Sequence, residues 1–134
     1  MAQEQDEEIL TRFEEALTQS ALSSSTIVNY LADLRTFLRW GKHEVDDEFS
    51  LVEVSQEHIR LYRYHLTQKL NRAASTVNRH LMALRKFFAF AKEVDAISTN
   101  PTNGVALVQN DGKAISRPLS EDEVRKLLIA AESG

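Results

Sequence analysis

The 134-residue chain contains no cysteine, two prolines and four glycines. Without thiols there is neither a disulfide framework nor a thiolate metal site, and an intracellular, cytoplasmic protein is the natural expectation. No apolar run approaches the roughly 18 residues of a membrane span, and the acidic start lacks the basic and apolar regions of a secretion signal. No membrane partner is therefore expected. Scarce Gly and Pro leave long stretches free to be helical, and the length suits one compact domain with a tail rather than two full domains.

A further absence is local. From His58 to Lys92 there is no Asp or Glu, whereas Arg60, Arg63, Lys69, Arg72, Arg79, Arg85, Lys86 and Lys92 all lie there. The net charge of −4 does not favour a nucleic-acid partner, but this segregation permits one, because phosphate attraction depends on where the cations are gathered. A solvated basic face fits the same pattern.

Catalytic and ligand-binding signatures are also missing. His43, His58, His65 and His80 form no HExxH and have no obvious partner at metal-ligand spacing. No glycine-rich loop is present to cradle a nucleotide, and no Ser, His and Asp grouping forms a nucleophile signature. Catalytic residues, cofactor, metal and small-molecule substrate are thus all expected to be absent from this stretch.

What is present is helical periodicity. Ile9, Leu10, Phe13, Ala16 and Leu17 share one face, with Glu7, Glu8, Glu14 and Glu15 largely outside it. Ile27, Tyr30, Leu31, Leu34, Phe37 and Leu38 form a second stripe behind the cap-rich run Ser23, Ser24 and Ser25, ending near Gly41. After an acid-rich stretch expected to be a loop (43–54), Ser55 caps a third helix with Ile59, Tyr62, Leu66 and Leu70 inward. Ser75 or Asn71 caps a fourth with Val77, Leu81, Leu84, Phe87, Phe88 and Ala91 inward. The spacing predicts helices over about 9–17, 26–40, 56–70 and 76–92, hence an all-α bundle of four to five helices. Asn100-Pro101 and Asn103-Gly104 close it, giving a helical domain at 1–104 and a linker at 105–118. Ser120 with Glu123 then forms a capping box before Val124, Leu127, Leu128 and Ala131. That unpaired stripe suggests that 119–134 opens a second, truncated domain.

The faces opposite two of these stripes are distinctive. On the second helix they carry Ser25, Asn29, Ala32, Thr36 and Arg39; on the fourth, Ser75, Arg79, Met82, Ala83 and Lys86, flanked by Thr76 and Asn78. Small, hydroxyl, amide and basic groups suit a helix entering a major groove, whereas an ordinary exposed face more often carries Glu and Lys pairs. Arg85, at the edge of the stripe, is placed to reach a phosphate or to buttress the bundle.

In order, the runs SSTIVNYLADLRTFLRW (24–40) and STVNRHLMALRKFFAFA (75–91), then Asn100-Pro101, then RPLSEDEVRKLLIAA (117–131), resemble tyrosine recombinases of the phage-integrase and Xer type. The resemblance implies a SAM-like core-binding domain that clamps one side of double-stranded DNA. Ser25, Asn29, Thr36 and Arg39 align with its first DNA-facing helix, and Ser75, Thr76, Asn78, Arg79 and Lys86 with its second. It also implies that the catalytic arginines, lysine, histidine-type residues and nucleophilic tyrosine lie downstream, so that none of Tyr30, Tyr62 and Tyr64 is the nucleophile. The acidic first helix is assigned on the same basis to other recombinase protomers in a synaptic assembly. The expected location is the cytoplasm, on the nucleoid when bound to DNA. Two other readings remain open: a stand-alone helical DNA-binding regulator, and a helical protein-interaction module. Ala73 and Ala74 depart from the capping residues common in relatives and blur the start of the fourth helix by a turn.

Overall fold

The computed structural model describes residues 2–109. Among them are four α-helices and no strand: α1 (Ala2–Gln19), α2 (Ser24–Glu44), α3 (Gln56–Tyr64) and α4 (Ala74–Glu93). A 3-10 turn, Leu51–Glu53, precedes α3, and a π-helical turn, His65–Lys69, follows it. The fold is all-α, as the periodicities predict. Of the expected linker only the first residues, to Gln109, are described, and the helix expected after Ser120 lies outside the described residues.

Contacts divide the chain into two compact units. The first joins Met1–Tyr62 to Met82–Val105, and the second joins Arg63–Leu81 to the segment that starts at Ala106.

The core of the first unit is aromatic. Phe13 of α1 meets Phe87 edge-on at 5.3 Å between ring centroids and Phe90 at 5.4 Å. Phe37 of α2 packs edge-on against Tyr62 of α3 (4.9 Å), Phe49 (5.6 Å) and Phe88 of α4 (6.4 Å). Leu34, Leu51, Ile59 and Leu84 are closed to solvent around these rings. Burying each such side chain contributes about 1.5–3 kcal/mol, so a stripe of four or five fixes a helix that propensity alone would not hold.

Helix ends follow local chemistry. Ser23 caps α2, its Oγ accepting from the Thr26 amide at 3.2 Å, and Ser55 caps α3 through the His58 amide at 3.2 Å. The helix α4 opens differently from the expectation. Its first backbone bond runs from the Val77 amide to the Ala73 carbonyl, so Ala73 occupies the cap position, and neither Asn71 nor Ser75 does. Asn71 instead takes a left-handed conformation (φ 51°) between the π-helical turn and α4.

Three further departures have packing causes. Gly41 does not end α2; it is a buried residue within it, and a Cβ there would fall inside the ring of Phe49. Leu70, expected on the α3 stripe, is 42% exposed, because the π-helical turn closes with a hydrogen bond from the Leu70 amide to the His65 carbonyl and the side-chain phase slips. Ala83, expected outward on α4, is fully buried: with Leu84, Phe87 and Phe88 it makes the buried arc of this helix wider than one stripe.

Within the first unit a buried carboxylate ties α1 to the segment before α3. Asp6 Oδ1 accepts from the Ser50 hydroxyl at 2.9 Å and the Leu51 amide at 2.8 Å, which caps the 3-10 turn from a distance. Its Oδ2 has no hydrogen-bond partner among the described residues. Burial pushes the Asp6 carboxyl above its usual range, against the pull of those two hydrogen bonds and of Lys42. The neighbouring Glu7 takes a two-pronged hydrogen bond from Arg35 of α2, at 3.0 and 3.3 Å, which lowers the Glu7 pKa and raises that of Arg35. Half-exposed on both sides, this pair contributes at most about 1 kcal/mol.

Candidate nucleic-acid interface

On α2 the apolar stripe faces the core of the first unit, and the opposite side carries Ser25, Asn29 and Arg39, all exposed, with Thr36 half-buried. Thr36 is the hinge of this face. Its Oγ1 donates to the Ala32 carbonyl at 2.9 Å, one helical turn back, and accepts from Arg39 Nη2 at 3.3 Å. The hydroxyl thus restrains a guanidinium whose remaining donors still face solvent, an arrangement suited to a phosphate or to the acceptor edge of a guanine. Ser25 lies 3.4 Å from the capping Ser23 hydroxyl, at the amino end of the helix.

The second unit holds the opening turns of α4. Ser75 and Arg79 are exposed and Thr76 is half-buried. Arg79 Nη2 lies 3.3 Å from His80 Nε2, which a neutral imidazole would accept. Asn78 meets a competing use. Its Nδ2 donates to the Val108 carbonyl at 3.0 Å and its Oδ1 accepts from the Val108 amide at 2.7 Å, so both ends of the amide are engaged with the backbone of one residue.

The later turns of α4 belong to the first unit. Lys86 is exposed and borders a shallow groove with Phe13, Ala16 and Leu17 of α1 and Phe90 and Glu93 of α4. Glu93, just past the acid-free stretch, therefore shares the neighbourhood of Lys86.

Exposure sorts the cations of that stretch into two groups. Arg60, Lys69, Arg72, Arg79, Lys86 and Lys92 are exposed, whereas Arg63 and Arg85 are only half-exposed. Those two are fastened to backbone carbonyls. Arg85 Nη2 donates to Val105 at 3.0 Å, the buttressing alternative, and Arg63 Nε donates to Ala106 at 2.9 Å. No signal within either helix foretold these partners, which lie 20 and 43 residues away along the chain.

The histidines take separate roles. His43 pairs with Glu44, while His58 accepts the Ser55 amide at 3.0 Å and packs edge-on against Phe49. No group of three or more potential metal ligands occurs among the described residues. None of the described helices is long and apolar enough to cross a membrane.

Residues 10–94, spanning α2, α3 and α4 whole and most of α1, match the model of the phage integrase N-terminal SAM-like domain. The chain belongs to this family. It is similar to tyrosine recombinase XerD of Ralstonia nicotianae, with 26% identity over 128 residues that cover 93% of this chain and 39% of the relative. It is also similar to tyrosine recombinase XerC of Rickettsia rickettsii, with 26% identity over 108 residues covering 79% and 35% respectively. The chain thus spans well under half the length of these curated relatives. No solved structure matches it.

Proposed function

We propose that this SAM-like domain binds double-stranded DNA and positions a site-specific tyrosine recombinase on its core recombination site. The observation that carries the reading is the family match, because its 10–94 span contains both helices that bear the base-compatible faces. Ser25, Asn29, Thr36 and Arg39 on α2, and Ser75, Thr76, Arg79 and Lys86 on α4, are the proposed contacts. Asn78 stands apart from them, since a bidentate base contact would have to displace its two bonds to Val108. The exposed cations supply phosphate attraction independent of sequence, and the hydroxyl, amide and guanidinium groups supply selectivity.

In this reading 1–104 is the core-binding domain, 105–118 the linker and 119–134 the opening of a catalytic domain. The whole recombinase breaks and rejoins DNA through a tyrosyl phosphodiester, without cofactor or required metal, and its tyrosine lies beyond this chain. Tyr62 is buried in the aromatic core and Tyr30 is half-buried, which suits neither to attack a phosphate. The acidic outer face of α1 is assigned to neighbouring protomers, and the site of action to the nucleoid in the cytoplasm.

Titration of a labelled random-sequence duplex at two salt concentrations tests the DNA reading. Lys86→Ala should weaken binding and lower the slope of log K against log salt by about one unit, the signature of one lost phosphate contact. Arg79→Ala should weaken it as well, with a larger loss on a cognate site of about 1–3 kcal/mol if the side chain reads a base. Charge reversal at Glu14 and Glu15 of α1 serves as the control. Parent-like binding by both α4 variants would remove α4 from the interface.

A further inference from the structure

From Val105 to Gln109 the chain runs without helix or strand, yet its backbone is not left to water. Within the second unit, Ala106, Leu107 and Val108 are gripped by two side chains from helical elements. Arg63, near the end of α3, donates from Nε to the Ala106 carbonyl at 2.9 Å, and its Nη2 reaches the Leu107 carbonyl at 3.5 Å. Asn78, on the second turn of α4, both donates to and accepts from Val108.

The Asn78 geometry is the informative part. A primary amide presents a donor and an acceptor side by side, as the N–H and C=O of one extended residue are, so an asparagine can pair with a single backbone residue as a neighbouring strand would. Other side chains offer this less well: Asp lacks the donor, Ser has only one atom for both roles, and Gln is a methylene longer. Partial burial of two neighbouring side chains adds to the grip. Leu107 and Val108 are half-buried, while Ala106 and Gln109 are exposed.

We propose that Asn78 and Arg63 form a clamp on Ala106–Val108 that fixes where and in which direction the chain leaves the helical domain toward whatever follows Gln109. They are positioning residues, and their ligand is the protein's own backbone. This does not depend on the DNA reading. It does bear on it, because an Asn78 amide holding Val108 cannot at the same time make a bidentate pair with a base.

The lack of cysteine makes the test direct, since Gln109→Cys gives a single site for a nitroxide label. In the otherwise unaltered chain the label should report restricted motion. Asn78→Ala should free it, and elastase should cut within 105–109 about tenfold faster or more, the effect of losing both hydrogen bonds. Asn78→Asp, which keeps the acceptor for the Val108 amide but loses the donor, should fall between the two.

Val108→Pro removes the amide hydrogen without touching α4 and should free the label even if Asn78→Ala disturbs the helix; Val108→Ala, which keeps that hydrogen, should behave like the parent. Far-ultraviolet circular dichroism should be the same for every variant except any that disturbs α4. Unchanged label motion and unchanged cleavage in both Asn78→Ala and Val108→Pro would overturn the clamp. So would a Val108→Ala chain as loose as Val108→Pro, since side-chain packing rather than the amide pairing would then hold the segment.

Discussion

Replacing Asp6 separates two effects that its buried position combines. The carboxylate caps the Leu51 amide and receives the Ser50 hydroxyl through one oxygen, and both partners are closed to solvent. Asp6→Ala removes this shared acceptor and leaves a buried N–H without a partner, which costs about 1–3 kcal/mol. Asp6→Asn retains an acceptor in the same place and removes the charge, so its loss at neutral pH should be clearly smaller than that of alanine. The pH dependence has a definite sign. Because burial raises the folded-state pKa of Asp6 above the ordinary aspartate value of 3.8, its contribution is full below the unfolded value and is lost as pH rises through the folded one. The parent should therefore gain stability relative to Asp6→Asn as pH falls from neutral toward about 4. Glu7 acts oppositely, since Arg35 lowers its pKa and its contribution is lost as pH falls, but it is common to both proteins and cancels in the difference. Urea unfolding of the three proteins at several pH values provides the numbers. Asp6→Ala as stable as the parent at neutral pH, or a parent that loses ground to Asp6→Asn on acidification, would refute the reasoning.

Two packing predictions follow from backbone positions. Gly41→Ala puts a methyl group into the Phe49 ring and should cost about 3 kcal/mol or prevent folding, whereas Gly41→Ala combined with Phe49→Leu should recover part of the loss in the same urea assay. Ala21, at φ 66° just past α1, pays a left-handed penalty that Gly avoids, so Ala21→Gly should raise stability by about 0.5–1 kcal/mol; a lower melting temperature would contradict it.

The apolar stripes were legible because burial repeats with the helical period, and Phe13, Leu34, Ile59, Leu84 and Phe88 are where that period puts them. Gly41 was misread because a glycine that makes room for a ring and one that ends a helix look alike without the ring. Leu70 was misread because a wide turn leaves no local sequence mark. The polar ties escaped altogether. Asp6 finds Ser50, Arg63 finds Ala106 and Asn78 finds Val108 across 30 to 44 residues, and nothing near either partner announces the other. The candidate site was legible as residue types on two helix faces; that the Asn78 amide is engaged and that Thr36 holds Arg39 required coordinates.

The central claim, that the outer faces of α2 and α4 meet DNA, is tested most directly by following backbone amide resonances as a short random-sequence duplex is added at low salt. Binding to those faces predicts progressive shifts at Ser25, Asn29, Arg39, Ser75, Arg79 and Lys86 that reverse when salt is raised, with Glu14 and Glu15 nearly still. Shifts gathered on α1 with α2 and α4 unmoved, or no shifts at all at low salt, would contradict it.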